Sequence, residues 1–364
     1  MKKVLLSILS LIVGVILFIG VLRYIGVDAF KAAFYSFSWW TIGIVAALGY
    51  LQTFIAIYRW KLILRAQGNE VSIKQLVAPK FAGQTVSYMT PGPNVGGEPV
   101  SAYFLKRNTG IGYSKGFASI MVDKILDFTY PLPFLIGALV YAFFKYDISW
   151  ATIGIFVLTL LVLIFLLGMF YIQTYRGIGF FSSLIRILHL HRFGKMQKLV
   201  DKMLHFENLI IRFFNHQKDL FVKGLFLSLI GGMIILLQFV IVLEALGIGG
   251  SVIQILMMMV FMILSNFMPI PAGIGSLEAG QAIVFSALGY SASIGVAFSL
   301  ILRAAEVFKL GLGITFLSHV GIKVLRELPK NGNGAKRAIL SEGKESEIRD
   351  NGQPDVVDDA DEAP

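Results

Sequence analysis

Long runs with hardly a charge in them limit what this chain can become. Val4 to Leu22, Trp39 to Tyr58, Trp150 to Ile172 and Leu225 to Leu246 are 19 to 23 residues long and almost wholly apolar. A helix of about 20 apolar residues crosses a hydrocarbon core of roughly 30 Å, and only a helix or a closed barrel satisfies its backbone there. Composition agrees. Hydrophobic residues make up 56% of the 364 and charged residues only 15%, with a mean hydropathy of +0.74, outside the range of soluble domains. The fold class this sets is an all-α polytopic membrane protein. Val4 to Leu22 is longer than a signal-peptide core, and no small-residue cleavage site follows it. It reads as the first span. Trp39-Trp40 and Tyr58-Arg59-Trp60 mark the two interfaces of the second.

Two stretches, 180 positions apart, break the apolar pattern. One is Thr90-Pro91-Gly92-Pro93-Asn94-Val95-Gly96-Gly97-Glu98-Pro99, the other Pro269-Ile270-Pro271-Ala272-Gly273-Ile274-Gly275-Ser276-Leu277-Glu278. Non-helical backbone at membrane depth survives only when protein buries it or a wet cavity receives it. Paired breaks in two halves of a membrane chain point to a transport site. Leu76 to Thr90 is too short to cross comfortably, and Pro79 and Lys80 weaken it further. Pro99 then sits where proline favours the start of a helix. We read residues 76–108 and 252–288 as re-entrant helical hairpins, each bent at one of these elbows.

The remaining spans are Gly116 to Phe144, kinked at Pro131 and Pro133, and Ile294 to Val320. Six spans and two hairpins then form an inverted-topology repeat, residues 1–144 against 145–322. Residues 59–74, 174–223 and the start of the tail are basic, and this order puts all three, with both termini, on the cytoplasmic side of the cytoplasmic membrane. Between Thr174 and Lys223, nine Lys/Arg stand against three Asp/Glu, with apolar residues at helical spacing, as in amphipathic helices on a membrane surface. The tail, 323–364, is polar and charged enough to be a disordered cytoplasmic segment. At the 180-residue offset Pro91/Pro271, Glu98/Glu278, Ala102/Ala282, Ser119/Ser299 and Phe128/Phe308 coincide.

The net charge of +10 belongs to the loops between spans, so nucleic acid is not an expected partner. There is no cysteine, which excludes thiol chemistry and disulfides. His189 and His191 fall on different sides of a helix, so neither a metal nor another cofactor is expected. No nucleophile–base pair stands out, and the chain is not expected to be an enzyme. Ionisable residues within apolar runs carry the functional reading, because charge at mid-bilayer is costly and normally faces a partner or a cavity. Arg303, whose donor fork suits a phosphate, is a candidate headgroup ligand; the alternative is an ion pair with Asp123, Asp127 or Glu306. Glu98 and Glu278 occupy first helical turns, where acids are favoured by the dipole alone, or they bind a cationic headgroup or a coupling proton. Gly96, Gly97, Gly273 and Gly275 would let backbone approach a headgroup closely; for Gly97, as for Ser276, the alternative is a helix cap alone.

Tyr58-Arg59-Trp60-Lys61-Leu62, the first elbow with Lys106-Arg107 after it, Pro269-x-Pro271-Ala272-Gly273-Ile274-Gly275-x-x-Glu278 and Arg303 together resemble one family. It is the flippase-like transmembrane family of lysylphosphatidylglycerol synthase, also grouped as an uncharacterised UPF-type membrane family. The resemblance covers roughly residues 1 to 322 and lacks the soluble aminoacyl-transferase domain of larger members. It implies movement of a membrane lipid, with Arg59, Asp123, Lys124, Asp127 and Glu306 joining the residues above as substrate-binding candidates. The family pattern usually has Glu-Arg where this chain has Asp123-Lys124, so the bidentate guanidinium is lost at 124. Candidate partners are a phospholipid, an aminoacyl-lipid or a polyprenyl-phosphate lipid. The alternative is a non-transporting subunit that scaffolds a lipid-modifying or glycosylating enzyme.

Overall fold

A computed structural model describes residues 38–90, 96–145, 150–177, 207–214, 217–268 and 270–327. The expected first span, the centre of the first elbow, most of the basic segment 174–223 and the tail beyond 327 lie outside these residues. The chain divides into two compact units, Met1–Ile314 and Thr315–Pro364, and every site residue discussed below belongs to the first.

All regular structure among the described residues is helical. The helices are α1 (Trp39–Ala66), α2 (Ile73–Met89), α3 (Glu98–Thr109), α4 (Tyr113–Thr129), α5 (Pro131–Lys145), α6 (Trp150–Tyr175), α7 (Lys218–Ala245), α8 (Val252–Phe267), α9 (Ser276–Ala287) and α10 (Ala292–Glu327). A short helical segment at 207–214 lies between α6 and α7. By length and apolarity, α1 and α7, each of 28 residues, are long enough to cross a membrane. The 36-residue α10 has ample length but carries Arg303, Glu306 and Lys309 along it. Gly116 to Phe144 is two helices rather than one kinked helix. Tyr130 still donates to the Leu126 carbonyl (3.1 Å), but Pro131 has no N–H to continue the ladder and opens α5 instead.

The two proline–glycine stretches do bend the chain into helical hairpins, α2 on α3 and α8 on α9. Their arms have 17 and 12 residues in the first and 16 and 12 in the second. At 1.5 Å per residue these arms reach only ~25 and ~18 Å, short of a bilayer core. Both entering arms start with the same device. Ser72 N–H donates to Gln75 Oε1 (2.9 Å), and Ser251 N–H donates to Gln254 Oε1 (2.8 Å), so each glutamine caps its own helix. In α2 the interior Pro79 leaves the Gln75 carbonyl without its usual donor, and Asn108 Nδ2 from α3 supplies one (3.0 Å). Each exit arm is tied to its entry arm by a side chain on a backbone carbonyl. Ser101 Oγ donates to Pro79 O (3.0 Å), and Gln281 Nε2 donates to Met258 O (3.0 Å).

The core surrounds α8. Every residue from Ile255 to Val260 is buried, so no face of that stretch meets solvent or lipid. Phe239 of α7, Phe285 of α9 and Phe298 of α10 close over it, with Phe239 and Phe298 edge to face at 5.1 Å. By contrast α1, α6 and α7 present large apolar side chains outward, among them Phe54, Leu158, Phe165 and Phe226. An outer surface of this kind suits lipid rather than water.

Candidate functional site

The site consists of two elbows and the cavity beside them. At the second elbow, Ala272, Gly273 and Gly275 all adopt left-handed backbone (φ 56°, 59° and 81°), turning the chain sharply between α8 and α9. That turn points the Ala272 and Gly273 carbonyls out of any helix, and unpaired carbonyls are costly when buried. Arg303 of α10 meets them, with Nη1 on Ala272 O and Nη2 on Gly273 O, both at 2.7 Å. Its Nε donates to Glu278 Oε1, its Nη2 also to Glu278 Oε2 (3.1 Å), and its Nη1 also to the Tyr88 hydroxyl (3.2 Å). All five N–H donors are engaged. Glu278 in turn accepts from Gly275 N–H (2.8 Å), so its carboxylate joins the elbow backbone to α10. Tyr88 is on α2, so this network also joins the second elbow to the first hairpin.

The first elbow repeats this arrangement. Glu98 Oε2 accepts from Gly96 N–H (2.5 Å), and Gly97 N–H donates to Ser87 Oγ (3.0 Å). Glu98 Oε1 faces Lys124 Nζ of α4 at 3.4 Å. Glu98 and Glu278 are 3% and 1% exposed, so both carboxylates are inside the protein. The cation facing each follows it by 26 and 25 residues. Gly97 serves the hairpin itself: a Cβ there would lie 1.8 Å from the Gly83 carbonyl oxygen, because α2 and α3 approach through this point.

A second charge cluster lies behind the first hairpin. Arg59 of α1 donates from Nε to Asp123 Oδ1 (2.6 Å), from Nη2 to Asp127 Oδ1 (2.7 Å) and from Nη1 to Ser228 Oγ of α7 (2.6 Å). Lys80 of α2 takes the other Asp123 oxygen at 2.6 Å. A buried guanidinium and a lysine against two carboxylates make a neutral cluster, the form in which buried charge is tolerated, and Asp127 is its most exposed member.

Both clusters border a cavity of about 380 Å³ formed by α1, α2, α4, α7, α8 and α10. Of the candidates named from sequence, Lys124, Asp127, Arg303 and Glu306 line it. Arg59, Asp123, Glu98 and Glu278 stand behind as their ion-pair partners or neighbours, and Gly96, Gly97, Gly273 and Gly275 form the elbow backbone. Arg303 takes none of the carboxylates proposed for it from sequence. Asp123 and Asp127 are held by Arg59 and Lys80, and Glu306 by Lys309 one turn on (2.5 Å), so Glu278 is its partner. Sequence reasoning passed over Lys80 and Lys309 as site residues, and over Gln84, Tyr88, Gln238 and Asn266, which also line the cavity. A signal for three of these was present. Lys80, Gln84 and Tyr88 recur every fourth residue, which places polar groups on one face of an apolar helix.

Comparison with known proteins places this architecture. The sequence model of the family described as the lysylphosphatidylglycerol synthase TM region matches residues 5–313. The chain belongs to that family. It is similar to UPF0104 membrane proteins of archaea. The one from Methanocaldococcus jannaschii is 25% identical over 338 residues, covering 90% of this chain and 98% of the relative. One from Methanothermobacter thermautotrophicus is 22% identical over 283 residues, 74% of this chain and 82% of its own length. One from Pyrococcus horikoshii is 25% identical over 258 residues, 67% of this chain and 76% of its own length. No solved structure matches the chain. The family and these relatives are membrane proteins, in keeping with the all-helical fold and its apolar outer faces.

Proposed function

We propose that this protein moves a polar or phosphate-bearing lipid headgroup across the cytoplasmic membrane. The observation that carries the proposal is the cavity. A space of about 380 Å³ with lysines, an arginine and two carboxylates on its wall lies among helices whose outer faces are apolar. Its volume falls within the roughly 300–1,000 Å³ of small-ligand sites. Charge so placed is expensive unless it serves a passage or a ligand. Membership of the family of the lysylphosphatidylglycerol synthase TM region supports a lipid as the cargo. Two short hairpins meeting beside the cavity support alternating access, in which one elbow opens toward each side while acyl chains remain in lipid. In this reading the hairpins are re-entrant and the two halves are inverted repeats, with both termini cytoplasmic.

Reconstitution tests the proposal. Purified protein in liposomes should carry headgroup-labelled phospholipid between leaflets faster than empty liposomes do. It should do so for at least one member of a panel spanning zwitterionic, anionic, aminoacylated and polyprenyl-phosphate lipids. No movement of any of these by folded protein, together with stoichiometric copurification of a lipid-modifying enzyme, would establish the scaffolding subunit in its place.

A further inference from the structure

The charges around the cavity balance. Each lysine or arginine on its wall is paired with a carboxylate, Lys80 sharing Asp123 with Arg59, and Asp127 is paired with that same Arg59 behind it, giving five basic and five acidic groups among the described residues. These pairs differ in how far they are open to the cavity. The Arg59 side chain is 3% exposed, and Arg303 has no N–H left to give. Asp127 and Glu306, in contrast, are 41% and 40% exposed, and Lys124 is 25% exposed and 3.4 Å from its carboxylate. Lys309, though 14% exposed, lines the cavity with the exposed Glu306 as its ion-pair partner. The reachable groups thus include both signs, and they surround one space.

A balanced site of low polarity penalises any ligand that adds net charge, since nothing in the wall compensates it. A headgroup carrying one charge of each sign avoids that penalty. It can enter by exchange, its phosphate replacing a carboxylate beside a lysine and its ammonium replacing a lysine beside a carboxylate. Lys309 and Glu306 exchange each other for the phosphate and the ammonium, while Lys124 and Asp127 add these groups and keep Glu98 and Arg59. We infer that the cavity receives a zwitterionic phospholipid headgroup, with Lys124 and Lys309 on the phosphate and Asp127 and Glu306 on the ammonium. This rests on the reading that the cavity takes a lipid headgroup, and it narrows which one.

The test is photo-crosslinking in nanodiscs with three diacyl lipids that share one acyl-chain probe: phosphatidylethanolamine, phosphatidylglycerol and a trimethylammonium lipid. Labelling of peptides from α2, α4 and α10 should be about tenfold greater for phosphatidylethanolamine than for either charged lipid, roughly the ratio that ~1.4 kcal/mol of preference gives. Glu306→Gln leaves the site one charge positive and should move the preference to phosphatidylglycerol. Lys309→Gln should move it to the trimethylammonium lipid, and the double variant should restore phosphatidylethanolamine. A thermal unfolding midpoint for each variant separates loss of fold from change of preference. Equal labelling by a charged lipid, no labelling of these peptides, or a preference unmoved in folded single variants would overturn the inference. If the preferences follow the charge rule while no lipid moves in liposomes, the binding assignment stands and translocation fails.

Discussion

At the first elbow a lysine faces the buried glutamate at 3.4 Å; at the second an arginine commits all five of its donors to the glutamate, two elbow carbonyls and a tyrosine of the other hairpin. The two elbows otherwise correspond closely. Each has an acid in the first turn of its exit helix, holding an elbow N–H and facing a cation on a following helix. Each hairpin is tied across its arms by a side chain on a carbonyl. A lysine is a point charge on a flexible stem, whereas a guanidinium is a planar fork that fixes direction as well as charge. Among the described residues, the same plan therefore holds Glu278 with a fork and Glu98 with a point charge. If the two elbows open alternately, as proposed, the one whose glutamate faces the lysine is expected to move first.

The largest effect is expected at the elbow held by the fork. Arg303→Met takes the guanidinium from the Ala272 carbonyl, leaves the Gly273 carbonyl to Ser276 Oγ (3.0 Å) alone, and leaves Glu278 charged and buried, so it should cost about 3–5 kcal/mol, read as a lowered unfolding midpoint in detergent. Gly97→Ala comes next. Its Cβ would meet the Gly83 carbonyl, which is backbone and cannot swing aside, so the hairpin arms must separate at a cost of roughly 1–3 kcal/mol. Lys124→Met also leaves a buried glutamate without its cation, but the pair is long and its lysine partly exposed, so it should cost less than Arg303→Met, about 1–2 kcal/mol. If it costs as much as Arg303→Met, the two elbows are not fastened differently. Lys124→Arg sharpens the contrast: a fork at this position should stabilise the protein by several tenths of a kcal/mol and slow translocation. The smallest effect belongs to Ser101→Ala, which loses one hydrogen bond to the Pro79 carbonyl and should cost about 1 kcal/mol or less in the same melt.

The helical class and the two hairpins were legible because they depend on local signals, apolar run length and proline–glycine breaks. The placement of Glu98 and Glu278 in the first turns of α3 and α9 was equally accessible, but their burial was not. Which cation meets which acid was not. Arg303 could have paired with Glu306 three residues along its own helix, and only the packing of α9 against α10 and the capture of Glu306 by Lys309 send it to Glu278. The helix-packing role of Gly97 was hidden for a related reason. A glycine that admits a ligand and one that admits a neighbouring helix look alike until the second helix is in position, and here Gly83 lies opposite. The two serine–glutamine capping boxes could have been found in advance, since Ser72/Gln75 and Ser251/Gln254 share their spacing and mark corresponding helix starts.

That a headgroup passes between the two hairpins can be tested by tying them together across the cavity. The chain has no cysteine, so Gln84→Cys on α2 and Leu277→Cys on α9, both on the cavity wall, introduce the only thiols. A reducible thiol-reactive linker joining them in liposomes should stop headgroup translocation, and reductant should restore it, while each single variant treated in the same way keeps its rate. Unchanged translocation with the link fully formed would show that lipid does not move through this cavity.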